Sequence, residues 1–228
     1  MSLRLLAIDT ATEACSVAVW NNGKKYTLFT ACPRKHTHYI LPMVQQILLE
    51  SGISLKQLSA LIFSRGPGSF TGVRIGIGIA QGLAMGAELP MIGISSLATM
   101  AQGAFRLTGA TQVLIAIDAH MGEIYWGQYK RDHNGAWIGE NTESILKPEC
   151  VQHHIVSLVG EWAIAGTGWI KYPNIAEMLR VKLIGIPFLV PQAEDMLPLA
   201  LIDFFLGKCI SVENAKPNYL RHAVVLRK

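Results

Sequence analysis

The feature that most constrains the fold is a pattern written twice along the chain. Leu3–Ile8 is a hydrophobic run that ends in Asp9, and a short turn leads to a second run, Cys15–Trp20. Asn21-Asn22-Gly23 follows, a hairpin signal because type I′ turns need positive φ at both central residues. Lys24–Ala31 returns, and a helix is predicted from Tyr39, Ile40, Met43, Val44, Ile47 and Leu48 at helical spacing, stopped by Gly52. The second copy starts at Val113–Ile117, which ends in Asp118. A turn through Gly122 leads to Glu123–Tyr129, Asp132-His-Asn-Gly135 makes the hairpin, Trp137–Glu143 returns, and Pro148 stands where a helix could begin. Short strands (Ala60–Phe63, Met91–Ile94, Trp162–Ala165) then alternate with helices, the last of them Glu194–Leu206, stopped by Gly207. The reading is α/β, with antiparallel hairpins added to parallel sheets. The boundary is expected within Phe105–Thr111, giving units 1–107 and 108–228, with the terminal segment free to pack back on the first.

The second constraint is Arg65-Gly-Pro-Gly-Ser-Phe-Thr-Gly-Val-Arg-Ile-Gly-Ile-Gly-Ile-Ala-Gln-Gly-Leu-Ala-Met-Gly86, a punctuated loop that becomes a glycine-laden helix from Ser69 to Met85. Gly72, Gly76, Ala80 and Ala84 make one row of small residues; Gly78, Gly82 and Gly86 make another. Each interior glycine costs about 1 kcal/mol relative to alanine. Close approach of another backbone offsets such a cost. That backbone belongs either to the protein's own core or to a partner, and the two rows point at different angles. Ser69 is expected to cap this helix.

With 228 residues, 50% of them hydrophobic and 16% charged, the chain can bury a large core. A net charge of +4 without a long Lys/Arg tract does not describe a dedicated nucleic-acid binder. Arg34, Lys35, Lys216, Arg221, Arg227 and Lys228 read as solvated surface, and Trp126, Trp137, Trp162 and Trp169 as core or hairpin-face residues. Cys15, Cys32, Cys150 and Cys209 are scattered, which fits free thiols in a reducing compartment. Leu5–Ile8 is too short for a secretory core, and Ile75–Ala87 is too short to span a bilayer. A soluble, cytoplasmic protein with no membrane contact is expected.

Catalytic patterns are scarce. His36-Thr-His38 and His153-His154 do not place two imidazoles on one helical face, so no metal site is expected, and His36 and His38 read as solvated residues flanking a helix start. Ser69 lacks the Gly-x-Ser-x-Gly spacing of a hydrolase nucleophile, and the loop lacks the Gly-Lys-Ser/Thr ending of a P-loop. No catalytic residue is assigned. Asp9 and Asp118, each closing a first strand, read either as turn caps or as the two sides of a cleft.

The duplicated hairpin unit resembles the actin, sugar-kinase and Hsp70 superfamily, in which two such aspartate loops face each other and hold Mg-ATP. That resemblance implies two tandem actin-like (ribonuclease H-like) lobes. It places a degenerate nucleotide cleft at Asp9, Thr10, Thr12, Asp118, Gly166 and Gly168. The cleft is degenerate because Ala11 replaces the phosphate-loop glycine and Glu13 adds an anion. An ATP-dependent phosphotransferase or ATPase is the alternative reading. More specifically, Leu6-Ala-Ile-Asp-Thr-Ala-Thr12, Arg65–Gly76 and Pro217-Asn-Tyr-Leu-Arg221 resemble the TsaB family of bacterial tRNA threonylcarbamoyladenosine proteins. The resemblance implies a non-catalytic paralogue of TsaD that pairs with it, serves the TsaE ATPase, and meets tRNA through the complex. It implies a homodimer in isolation and no intrinsic cofactor, leaving open a nucleotide at the junction of the complex. It places the TsaD contact on the two N-terminal helices, at Tyr39, Ile40, Met43, Val44, Ile47, Gly72, Ile75, Gly76, Gly78, Ile79 and Gly82.

Overall fold

A computed structural model describes residues 3–185 and 190–221. Arg227 and Lys228 lie outside them. The first copy of the pattern forms strands β1 (Arg4–Asp9), β2 (Ala14–Asn21) and β3 (Lys24–Ala31), then helix α1 (His36–Ser51). Strand β4 (Ala60–Ser64), helix α2 (Phe70–Ala87), strand β5 (Met91–Ile94) and helix α3 (Ser96–Thr108) complete it. The sheet runs β3-β2-β1-β4-β5, with the hairpin strands antiparallel and β1, β4 and β5 parallel.

The second copy forms β6 (Gln112–Asp118), β7 (Ile124–Arg131), β8 (Trp137–Ile138) and β9 (Ser144–Leu146). Helix α4 (Val151–His154), strand β10 (Glu161–Ala165), helices α5 (Gly168–Lys171) and α6 (Asn174–Met178), strand β11 (Lys182–Gly185) and helix α7 (Ala193–Phe205) follow. Its sheet, β11-β10-β6-β7-β8, repeats the order of the first, with β9 also on β7. The fold is therefore two tandem actin-like lobes, each a mixed sheet flanked by helices.

Period-two alternation sorts the strands into layers. Leu5 and Ala7 of β1, and Val113 and Ile115 of β6, face a shared central core filled by α3 and α7. Leu6 and Ile8 face outward to α1 and α2, while Leu114 and Ala116 face outward to a cluster around Trp126, Trp162 and Trp169. These three tryptophans are buried, and Trp137 packs against the central core. The late helix α7 packs on α3 and on the strands of the first sheet, and Ile210 pairs with Met91, so the segment just after α7 returns to the first sheet.

One expected element is broken. Trp137–Glu143 is not a continuous returning strand: β8 stops at Ile138, a 3-10 turn spans Glu140–Thr142, and β9 starts at Ser144. Thr142 Oγ1 stands in for the interrupted ladder, accepting from Gln128 N at 2.8 Å and donating to Gly139 O at 2.6 Å. The break turns Glu143 inward.

Candidate functional site

The two aspartate loops lie in unlike surroundings. Asp9 is 1% exposed. Its Oδ1 accepts from Ala11 N at 3.0 Å, an Asx turn, while Oδ2 is buried with no hydrogen-bond partner among the described residues. Burial pushes its carboxyl up from 3.8 to about 6, against the pull of the Ala11 amide. Thr10 Oγ1 donates to Gly72 O at 2.7 Å. Thr12 O accepts from His36 Nε2 at 2.7 Å, and Thr12 Oγ1 is buried without a partner among the described residues. His36 is therefore a buried tie between α1 and the Asp9 loop, not the solvated histidine expected, whereas His38 is exposed.

The start of α2 sits on this loop. Ser69 N donates to Ala11 O at 2.8 Å, and Ser69 Oγ accepts from Gly72 N at 3.3 Å, the expected cap. A Cβ on Gly68 would come within 2.2 Å of Ala11 O, and one on Gly72 within 2.3 Å of Thr10 O. On Gly76 it would come within 2.5 Å of Thr10 Oγ1. Gly68 and Gly72 thus bring the start of the helix against the loop backbone, and Gly76 brings it against the Thr10 side chain.

Asp118 is half-buried in the second lobe, its side chain 15% exposed. Its Oδ1 accepts from His120 N at 3.1 Å, its Oδ2 meets Lys171 Nζ at 2.7 Å, and its own amide donates to Thr167 Oγ1 at 3.0 Å. Gly166, at φ +110°, and Gly168 lie against Ala116 O, where a Cβ would meet it at 2.2 and 2.8 Å. These glycines seat the crossover on β6. This donor set does not fit a magnesium-bound triphosphate. Asp9 is sealed under α2, the Ala11 amide is spent on Asp9 itself, and Lys171 already supplies a cation to Asp118. Neither Lys171 nor Thr167 carried a signal in the sequence, because only the folded chain brings them to Asp118.

The residues expected to face a partner divide into two sets. Ile40, Met43, Val44 and Ile47 are buried in this chain's own core, and Gly72 and Gly76 are buried against Thr10, so these six do not form an outer surface. Their apolar spacing marks the inner face of α1, as amphipathic periodicity ordinarily does. The outer face is formed by others. Gly78, Gly82 and Gly86 are exposed, with no other atom within 4 Å of the place a Cβ would take, and Ile75 and Ile79 are half-buried beside them. Tyr39, Leu41 and Leu49 of α1 and Met85 of α2 are exposed, Leu49 by 76% and Met85 by 70%.

The terminal segment joins the lobes at the head of this face. Asn218 N donates to Arg65 O at 2.7 Å, Arg74 Nε donates to Tyr219 OH at 2.6 Å, and Arg221 Nη2 reaches Ala119 O at 3.2 Å and pairs with Glu123. Asn218 Nδ2 also approaches the inward-turned Glu143, which accepts from Tyr129 OH and from Ser95 Oγ. Burial raises the Glu143 carboxyl, with those two hydroxyls opposing. No group of three or more His, Cys, Asp or Glu that could hold a metal occurs among the described residues, and none of their helices is long and apolar enough to cross a membrane.

A family model described as TsaD, tRNA N6-adenosine threonylcarbamoyltransferase, matches residues 30–152. The tRNA threonylcarbamoyladenosine biosynthesis protein TsaB of Escherichia coli strain K12 is 59% identical over 226 residues, covering 99% of this chain and 98% of that one. The chain belongs to the TsaB family. The Haemophilus influenzae TsaB is 44% identical over 235 residues, covering 100% of this chain and 97% of its own. Among solved structures, YeaZ from Pseudomonas aeruginosa is 41% identical with a TM-score of 0.87, covering 96% of this chain and 100% of that one. A second P. aeruginosa structure, of a protein described as similar to the peptidase YeaZ, is 40% identical with a TM-score of 0.86, with the same coverage of both chains. In the present chain Ser69, the residue nearest in pattern to a hydrolase nucleophile, spends its hydroxyl on the α2 cap.

Proposed function

We propose that this chain is a non-catalytic subunit of tRNA threonylcarbamoyladenosine biosynthesis. It pairs with TsaD through the outer face of α1 and α2, holds it in an active state, and serves the TsaE ATPase on the same assembly. tRNA is met through the complex, and a second copy of the chain occupies the same face when TsaD is absent. The observation that carries the reading is the open row Gly78, Gly82 and Gly86. Gly78 and Gly82, inside the helix, each cost it about 1 kcal/mol relative to alanine, and nothing among the described residues packs on the row in return. A partner helix approaching that bare backbone supplies the missing contact. Met85 is exposed on the same helix, and Leu41 and Leu49 add exposed apolar side chains on α1, in the manner of an interface.

The phosphotransferase or ATPase alternative is weakened by the sealed Asp9 and by the Lys171–Asp118 pair. The deciding experiment is reconstitution of tRNA modification from purified TsaD and TsaE, with and without this chain. Modification should require the chain. Product formed by this chain alone from threonylcarbamoyl-adenylate and tRNA would overturn the non-catalytic assignment.

A further inference from the structure

Arg65, Arg106 and Arg221 each end on a carboxylate: Glu140, Asp195 and Glu123. Arg74, exposed on α2, has none among the described residues. Its Nε donates to Tyr219 OH at 2.6 Å, and its Cζ lies 3.6 Å above the centre of the Phe70 ring. Phe70 and Tyr219 stack beside it, centroids 6.0 Å apart at 27°. The two terminal nitrogens, the edge of the guanidinium that grips an anion in bidentate fashion, have no acceptor among the described residues. Phe70 remains 50% exposed and Tyr219 42% exposed. An arginine stacked and ordered before any anion arrives has already lost the side-chain freedom that binding otherwise takes away. Tyrosine and arginine in such settings dominate binding at protein interfaces.

Arg74 is one turn before Gly78 on the same helical row, at the end where the tail crosses from α2 to the Asp118 hairpin. We propose that Arg74 is a preset anchor for a carboxylate on the protein partner, and that Tyr219 is its positioning residue. The C-terminal segment is thereby part of the docking surface. The inference rests on the reading of the outer α2 face as partner-facing. A protein carboxylate is the occupant because the row continues into bare helix backbone, which a packed protein helix fits. The guanidinium, with no acceptor of its own among the described residues, calls for an anionic group there.

The test is calorimetric titration of the full chain with TsaD at low and high salt. Arg74→Glu should weaken binding on the order of 100-fold, and Arg74→Lys, which keeps charge but not the fork, about 10-fold. Arg74→Ala should flatten the salt dependence. Tyr219→Phe, which keeps the ring, should weaken binding several-fold in the native background and not at all beside Arg74→Ala, as expected of a residue acting through the guanidinium. Melting should be unchanged in each. Arg74→Glu binding within about twofold of the native chain overturns the anchor. If Gly82→Leu still blocks association in that case, the reading of the face survives and only the anchor falls; if it does not, both fall. Native TsaD affinity with lost retention of tRNA on a filter would assign Arg74 to phosphate and also overturn the proposal.

Discussion

Asp9 and Asp118 close the same strand in two copies of one topology, yet one is sealed in the core and the other is half-buried and paired with a lysine. The difference arises in the crossover that follows the strand lying parallel beside each aspartate strand, β4 in the first copy and β10 in the second. In the first copy it is the 18-residue α2, whose Gly72 and Gly76 land on Thr10, with Gly68 of the preceding loop on Ala11, just beyond the aspartate. In the second it is the short pair α5 and α6, whose Gly166 and Gly168 land on Ala116, just before the aspartate. The same device, a glycine pressed against a strand-end carbonyl, covers one loop and leaves the other open. A long crossover also has a second face, and that face is free for a partner; four- and five-residue helices have no such surplus.

The comparison breaks first at the buried glycines. Gly72→Leu forces side-chain atoms into Thr10 O and should cost more than about 3 kcal/mol, beyond the usual overpacking range, because the obstacle is backbone. Little folded protein should be recovered, and thermal melting checks it. A folded variant with native melting would mean that α2 does not seat on the Asp9 loop as described.

Asp9 gives the next effect. Its carboxyl is raised from 3.8 to about 6, so the folded chain holds this proton more tightly than the unfolded one. The stability it contributes is complete below about pH 4 and is lost as pH rises through 6. Asp9→Asn keeps the bond to Ala11 N and should remove about 2 kcal/mol of the stability change between about pH 4.5 and 7.5. Urea unfolding of both proteins at the two pH values measures it. An identical pH dependence would contradict the burial argument. Asp118→Asn, in a pair with the half-exposed and solvent-screened Lys171, should change stability far less than Asp9→Asn in the same experiment.

Much of this architecture was legible in the sequence because it is carried by local signals. The repeated strand–aspartate–hairpin pattern, the Asn-Gly turns, the Ser69 cap and the two glycine rows depend on neighbours in the chain. The site was less legible because it depends on which way each face turns. The apolar periodicity of Ile40, Met43, Val44 and Ile47 identifies α1 but marks its buried side. The outer side shows only as residues that break the pattern, such as Leu41 and Leu49. Likewise the two glycine rows are alike in sequence, and only packing against Thr10 separates Gly72 and Gly76 from Gly78 and Gly82. His36 read as solvated because nothing local reveals the Thr12 carbonyl it binds. The ties of Pro217–Arg221 to Arg65, Arg74 and the Asp118 hairpin join residues remote in the chain, so the segment was recognisable as a motif but not as a strap.

The central claim is that the outer α2 row exists for a partner, and Gly82→Leu tests it most directly. The position is exposed with open space around it, so the isolated chain should melt as the native protein does, or slightly higher, since leucine favours helix over glycine by about 0.8 kcal/mol. Sedimentation velocity of the variant mixed with TsaD should show two separate species where the native chain gives one complex. A normally melting Gly82→Leu chain that still forms the complex with native affinity would contradict the account.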